Sequence, residues 1–513
     1  MRLDNLWIGD FKNLRDFTID FDEDQTTTVL IGHNATGKSN LIEALVIIFR
    51  NLDLKKKPEF SYDLTYFCRD HKIQINADRD KKAYSIFVDG QKTSFSTFSG
   101  TDRKYLPKYI FAYYSGPSGR LEYLFDAHQR KFYDELLKGN IQPLRPFFYA
   151  RPIHSQFVLL SFFSFEDKES RKFLEDYLDV SGLESVDFIL KQPSWTSRQG
   201  DERFWNARGV VQKFLSNLWD YSLAPTRESV RIQIGFRKSA TQTRLHLFLP
   251  NETKLKELAR NYENNRNFFK MLESTYISEL IREVRIKIKK KNVDKSITFA
   301  ELAEGEQQLL TVLGLLKFTK DEESLFLLDE PDTHLNPVWS FNYFGILDKV
   351  VGPLEKSQII ICTHDPLVIG GLLKTQVQIF EKDEETGKIS AKLPDQDPRG
   401  MGVAALLTSE LFGLSTTLDS ETQSKLDRKR ELYIKDQEGK LTLKERMELQ
   451  NLFDELGSLD FTKTTRDPLY EKFVRAVMSR EEFKKTMLSN EDRQKQEKIA
   501  KKIIDKILAE EKQ

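Results

Sequence analysis

The chain has 513 residues, enough for about three domain-sized units and a large buried core. Lysine plus arginine number 79 and aspartate plus glutamate 79, so no bulk charge advertises a nucleic-acid or membrane partner and any basic surface must be local. Two cysteines, Cys68 and Cys362, are too few for a disulfide scaffold or a multi-cysteine zinc site; with no signal-peptide pattern and no apolar run near the ~20 residues of a membrane span, the composition predicts a cytoplasmic protein without a membrane partner.

In chain order, residues 3–8, 17–21 and 27–31 read as short strands, the last stopping at Gly32. Residues 41–50 are apolar on nearly every side, which predicts a helix buried against a sheet. Residues 51–108 read as polar β-like structure, and 109–114 as a strand ending in the turn cluster Ser115-Gly-Pro-Ser-Gly119. From about 153 to 290 the patterning is mostly helical, broken by a hairpin (230–236 and 244–249) and by an alternating run at 283–291. That run puts Val284, Ile286 and Ile288 on one face and Arg285, Lys287 and Lys289 on the other. Apolar strands follow at 325–328 and 358–362, then a helical region beyond Gly402 that becomes a charged helix past 488. No internal repeat or long heptad series is present. The domain reading is 1–150 and 291–400 as two parts of one head, an inserted helical lobe with a hairpin at 151–290, and a helical region at 401–513 whose mixed charges suit partner docking or self-assembly, with solvated helix surface as the alternative.

Gly32-His33-Asn34-Ala35-Thr36-Gly37-Lys38-Ser39 fits G-x-x-x-x-G-K-[ST] between a strand and a helix, and Asn40 follows it. Glycines let backbone N–H groups curl around phosphate oxygens, the helix N-terminus adds positive charge, Lys38 reaches the terminal phosphates and Ser39 ligates Mg2+. A nucleotide such as ATP, with Mg2+, is the expected ligand. In Leu325-Phe-Leu-Leu-Asp329-Glu330-Pro331 a buried strand delivers Asp329 to the metal, and Glu330 can polarise the attacking water.

Leu302-Ala303-Glu304-Gly305-Glu306-Gln-Gln308 opens an apolar helix, Asp332-Thr-His334-Leu-Asn336-Pro337 forms a turn, and His364 ends the strand Ile359-Ile-Ile-Cys-Thr363. This order resembles the ABC-type ATPase superfamily: Walker A, signature, Walker B, D-loop and switch histidine. The fold it implies is an α/β ABC-type P-loop ATPase head with an inserted mostly helical lobe and a C-terminal helical region. Ile8-Gly-Asp-Phe-Lys-Asn-Leu-Arg, Gly37-Lys-Ser-Asn-Leu-Ile-Glu-Ala and Asp329-Glu-Pro-Asp-Thr-His-Leu-Asn-Pro337 resemble RecF, SMC and OLD-type ATPases more than transporter subunits. The resemblance implies that nucleotide held by one subunit is closed over by Ala303, Glu304, Gly305 and Glu306 of another, in a homodimer or higher oligomer. It also implies that His364 senses the γ-phosphate and that His334 lies at the dimer interface. Ala303 replaces the usual signature serine, so that hydroxyl contact does not carry over and slow hydrolysis is expected. Gln156 is the candidate for the Q-loop.

Tyr113-Tyr-Ser-Gly116, Arg120-Leu-Glu-Tyr-Leu-Phe125, the phrase Arg399 to Gly413 and Thr465-Arg-Asp-Pro-Leu-Tyr-Glu-Lys-Phe473 are similar to the PtuA proteins of Septu antiphage systems and related retron modules. This implies an ATPase regulating a partner HNH nuclease of PtuB type. The basic stretch from Arg282 to Lys295 is the candidate contact to DNA, with a solvated strand face as the alternative, and a retron RNA–DNA hybrid is a further candidate partner. No nuclease site is expected on the chain itself. Asp395-Gln-Asp397 between two prolines reads as a turn, Cys68 to His71 as structural, and Cys362 as core. Two alternatives stand beside this reading: a RecF-like DNA repair ATPase, and an ATP-sensing scaffold that turns over slowly or not at all.

Overall fold

The structure is a computed structural model that describes residues 1–100, 102–140, 145–197, 199–291, 293–456, 473, 476–477, 480–483 and 490–510. Two compact units divide the chain, Met1–Asp397 and Pro398–Gln513.

In the first unit, β1 (Arg2–Phe11) turns at Lys12 and Asn13 into β2 (Leu14–Asp20), and β3 (Thr27–Gly32) leads through the glycine loop into α1 (Lys38–Asp53). β4 (Tyr62–Cys68), β5 (His71–Asp78), β6 (Ala83–Val88) and β7 (Gln91–Thr93) follow, then α2 (Phe95–Phe98), β8 (Tyr109–Tyr114), α3 (Asp126–Leu137) and β9 (Phe147–Tyr149). The next stretch contains α4 (Ile153–Ser164), α5 (Lys168–Tyr177), β10 (Val180–Lys191), α6 (Gly209–Tyr221), β11 (Thr226–Gly235), β12 (Lys238–Leu249), α7 (Glu252–Ala259), α8 (Asn265–Ile277) and β13 (Ile281–Lys290). β14 (Ile297–Thr298), α9 (Glu304–Thr319), β15 (Ser324–Asp329), α10 (Pro337–Phe341), α11 (Tyr343–Val351), β16 (Ser357–Cys362), α12 (Pro366–Ile369), β17 (Val377–Lys382) and β18 (Ile389–Lys392) complete the unit.

Among the described residues these strands form three sheets. The central one runs β18-β17-β3-β16-β15-β8-β9 and is parallel except for the edge strand β18. β15 and β16 are buried at every position, as strands covered on both faces must be. Its register sets Asp329 beside both Cys362 and Tyr114, and Cys362 beside Leu30. The carboxyl ends of β3, β8, β15 and β16 therefore meet at one edge, where open α/β sheets bind ligands. An antiparallel sheet, β2-β1-β4-β5-β6-β7, shares its core with α1.

The third sheet, β11-β12-β10-β13-β14, stands beside the helices α4 to α8 and joins the hairpin and the alternating run read from sequence through a strand that was not read. Its central strand β10 was not legible because register shifts at Val180/Gly182, Leu183/Ser185 and Ile189/Leu190 break the period-two alternation. β13 does alternate as read: Val284, Ile286 and Ile288 are buried, and Arg285, Lys287 and Lys289 are exposed.

The second unit holds α13 (Val403–Thr408), α14 (Ser420–Gln437), α15 (Leu443–Leu456) and a helix over Asn490–Glu510. α14 and α15 pack through Leu432, Leu449 and Leu452. Arg428 pairs with Glu448 and Lys435 with Glu445, each at 2.8 Å, in the rungs of an antiparallel helical hairpin. The phrase beginning at Thr465 lies, up to residue 472, outside the described residues.

Candidate functional site: the carboxyl edge of the parallel sheet

The loop 32–39 is shaped by close backbone approach. Gly32 has φ 141°, and a Cβ there would stand 2.3 Å from the Phe380 carbonyl oxygen on the neighbouring strand; at Gly37, φ 96°, it would meet Leu14 at 2.7 Å. Only glycine fits either position. Thr36 Oγ1 donates to the His33 carbonyl at 2.8 Å, and Asn13 Nδ2 donates to the Ala35 carbonyl at 2.9 Å, tying the β1–β2 turn to the loop. Asn34 is exposed. Gly37 offers no side-chain cap to α1, so the first-turn N–H groups have no side-chain acceptor there.

Lys38 is buried, and its Nζ donates to the carbonyls of Gly32 at 2.8 Å and His33 at 3.1 Å. Burial lowers its ammonium pKa, and the nearby Asp329 and Glu330 pull it back up. Asp329 is 1% exposed, and burial raises its carboxyl above the ordinary range while a hydrogen bond from Ser39 lowers it. Its Oδ2 has no hydrogen-bond partner. A buried carboxylate oxygen left unpaired beside a serine hydroxyl is a donor set that fits Mg2+; the loop, with its crowding glycines and inward lysine, fits a nucleotide's phosphates.

Glu330 takes the left-handed conformation, φ 54°, a strained choice for a residue with a Cβ. It is over-determined by its neighbours. Its N–H donates to the Cys362 carbonyl at 2.9 Å, and its own carbonyl accepts from Gln308 Nε2 at 3.3 Å and Thr333 Oγ1 at 3.1 Å. The kink swings its carboxylate to 3.8 Å from His364 Nε2, an ion-pair separation rather than a hydrogen bond. Burial lowers the His364 pKa, Lys38 and His33 push it the same way, and Glu330 opposes them.

One layer out, Thr363 Oγ1 donates to Asp332 Oδ2 at 2.7 Å. Burial pushes the Asp332 carboxyl up to about 6, and its Oδ1 has no partner. The turn after it packs against the start of α9: a Cβ at Gly305 would lie 2.3 Å from the His334 carbonyl oxygen, and His334 Nδ1 is 3.3 Å from Glu304 Oε2. Glu306 closes the end of that helix, accepting from the Ala303 N–H at 2.8 Å and from Lys290 Nζ, the last residue of β13, at 2.7 Å.

The fold thus brings Gly32 to Asn40, Asp329, Glu330 and His364 to one edge, and places Ala303 to Glu306 against the following turn of the same chain. Gln156, the Q-loop candidate, lies half-buried within α4; the glutamine that touches the Walker B end is Gln308. Asp397 accepts from the Lys374 N–H at 2.8 Å. Asn13, Glu43, Arg120 and Asp332 lie within the quoted phrases but had no role assigned from sequence, because their contacts are with segments distant along the chain.

The strand order and this site define an ABC-type P-loop ATPase head, the class that the motif order predicted. The chain belongs to the family described as "AAA domain, putative AbiEii toxin, Type IV TA system", whose model matches residues 27–370. It is similar to the "Septu protein PtuA" of Bacillus mycoides (strain KBAB4), 28% identical over 237 residues, 43% of this chain but 31% of that relative. It is also similar to the "Retron Vc95 probable ATPase" of Vibrio cholerae serotype O1 biovar El Tor, 21% identical over 469 residues, 85% of this chain and 84% of that one. The resemblance to PtuA-type defence ATPases is borne out by both. Among solved structures, the SMC head domain from Thermotoga maritima aligns at a TM-score of 0.33 with 13% identity, covering 77% of this chain and 99% of that one. Among the described residues, no helix is long and apolar enough to cross a membrane.

Proposed function

We propose that this chain is the ATP-binding and ATP-hydrolysing subunit of an antiphage defence complex, and that its nucleotide state, read through dimerisation, controls a partner HNH nuclease. The observation that carries the ATP part is the convergence of Lys38, Ser39, Asp329, Glu330 and His364 at the carboxyl edge of one parallel sheet. The defence part rests on the similarity to the Septu and retron proteins.

The loop N–H groups and Lys38 would hold the β- and γ-phosphates; Lys38, now bonded to loop carbonyls, would exchange those for phosphate oxygens. Ser39 and Asp329 would hold Mg2+, which when bound supplies charge neutralisation of the phosphate oxygens. Glu330 is the group positioned to accept the proton of an attacking water, and His364, kept from protonation by burial and Lys38, would orient that water or the γ-phosphate. Ala303 to Glu306 would approach the nucleotide of a second copy with the N-terminal N–H groups of α9. Val338 and Phe341, 67% and 66% exposed on α10 directly after the D-loop, support an apolar self-association surface at that face. Lys290 and Glu306 link β13 to α9, so closure at the nucleotide would pull on the basic face of Arg285, Lys287 and Lys289, the proposed contact to DNA or an RNA–DNA hybrid.

A second reading, a scaffold that binds ATP with little turnover, is favoured by Ala303, whose side chain has no hydroxyl to offer the γ-phosphate. Two variants separate the readings. Lys38→Ala is expected to lose ATP binding, and normal affinity would remove the central claim. Glu330→Gln is expected to bind ATP without turnover; if the wild type is equally inert with partner and DNA present, the scaffold reading stands. Tagging the protein in its native operon and purifying it with ATP should bring down a stoichiometric HNH protein. Recovery of the chain alone or with DNA-repair factors would refute nuclease control.

A further inference from the structure

Glu43 lies on α1 one helical turn beyond Ser39, and it is 2% exposed. A buried carboxylate needs charged or hydrogen-bonding partners, and this one collects them from two separate segments. Lys12 Nζ, in the β1–β2 turn, lies 2.5 Å from Oε2; Arg120 Nη2 and Tyr123 Oη, both in the stretch after β8, lie 3.1 Å from Oε2 and 3.2 Å from Oε1. Arg120 also donates to Asn40 Oδ1 at 2.6 Å, and Asn40 Nδ2 in turn donates to Asn13 Oδ1 at 2.6 Å. The chain of bonds runs from Arg120 through Asn40 and Asn13 to the Ala35 carbonyl in the phosphate loop. Two cations share one carboxylate, which leaves one positive charge in surplus beside the residue that follows Ser39. The Arg120 field reaches Asp329, where it favours the ionised form.

We propose that Arg120 is a specificity-determining residue for the terminal phosphate of a nucleoside triphosphate, and that Glu43 is the positioning residue that aims it. The inference rests on nucleotide binding at residues 32–39. The geometry supports it in three ways. Arg120 is about one-third exposed, at 31%, so its guanidinium can reach a ligand without leaving a buried hole. It already stands at Asn40, next to Ser39, the residue proposed to hold Mg2+. Its Nη2 donates to both Asn40 and Glu43, neighbours three apart on one helix face, so one edge of the guanidinium is held at the phosphate end while its other nitrogens are left for a ligand. Lys12 stays with Glu43 when Arg120 turns toward a phosphate, so the buried carboxylate is never left without a cation.

The test is the affinity of the full chain for ATP and for ADP, each titrated by calorimetry with Mg2+ present. Arg120→Ala should weaken ATP binding about tenfold, the size expected for one charge-assisted contact, while ADP affinity stays within about twofold. Glu43→Gln keeps the shape and removes the charge; it should show the same selective loss in smaller measure, and Glu43→Asp should recover part of it. Equal losses for ATP and ADP would reduce the network to a structural clasp and overturn the proposal, as would unchanged ATP affinity in Arg120→Ala. Should Glu43→Gln fail to fold, Arg120→Ala still decides. A wild type that binds neither nucleotide would instead overturn the ATP reading itself, and this inference with it.

Discussion

Gly305→Ala is the sharpest test of how the start of α9 is seated. A Cβ at residue 305 would lie 2.3 Å from the His334 carbonyl oxygen, where real contacts are not found below 3.0 Å, so either the helix end or the D-loop must yield by 3.0 minus 2.3, about 0.7 Å. The obstacle is backbone, which no side-chain rotation relieves. Overpacking of this kind costs about 1–3 kcal/mol, while alanine gains about 1 kcal/mol over glycine as a helix former, so the net expectation is a loss of about 0–2 kcal/mol. Gly345 in α11 provides the control. It is exposed and helical, nothing lies within 4 Å of its added Cβ, and Gly345→Ala should gain about 0.5–1 kcal/mol. Denaturant unfolding of both variants measures the pair, and sedimentation velocity with ATP in a Glu330→Gln background asks whether the displaced Ala303–Gly305 edge still closes on a second copy. The expected result is opposite signs of stability change, with ATP-dependent association weakened in Gly305→Ala alone. If Gly305→Ala is stabilised as much as Gly345→Ala and associates normally, the close approach to His334 does not constrain the site.

Three further outcomes are expected. Asp332, 7% exposed with its carboxyl pushed up to about 6 against an ordinary 3.8, keeps its proton in the fold where the unfolded chain has lost it. Its protonated form costs the fold nothing below pH ~4, and a penalty builds through pH 4–6 to at most about 3 kcal/mol above that window. The advantage of Asp332→Asn over wild type in urea midpoint should accordingly grow from pH 4 to pH 7.5, and a flat difference would mean that the carboxyl is not perturbed. Reversing Arg285, Lys287 and Lys289 together should weaken DNA binding and make its salt dependence shallower. Because Arg285 is already held by Glu283 at 2.8 Å, the slope should drop by about two phosphate contacts rather than three; an unchanged slope would assign these residues to solvent. Gly314→Ala should destabilise by about 0–2 kcal/mol, the overpacking cost of about 1–3 kcal/mol less about 1 kcal/mol of helix propensity, since its Cβ would fall 2.2 Å from Val158 where α9 crosses α4; a clear gain in thermal stability would show that the crossing can spread.

The sequence by itself determined the glycine loop, the acids and the histidine that end their strands at the carboxyl edge of the sheet, and their order along the chain. Glycines at 32 and 37, a lysine and serine entering a helix, two acids ending an apolar strand and a histidine ending another are local signals, because each depends on backbone geometry within a few residues. It also determined which face of β13 is basic, since period-two alternation survives in that strand. What it left open were features made by contacts between distant segments. β10 was hidden because its bulges scramble the alternation, so the hairpin and β13 were read without the central strand that joins them into one sheet. Gln308 rather than Gln156 touches Glu330, because α9 and not α4 runs beside the Walker B end. Glu43 and Arg120 are 77 residues apart, and the left-handed turn at Glu330 is imposed by Cys362, Gln308 and Thr333 together. Tertiary structure decided these because a buried carboxylate or a strained residue is stable only when partners from elsewhere in the chain satisfy it, and that pairing leaves no periodic mark on the sequence.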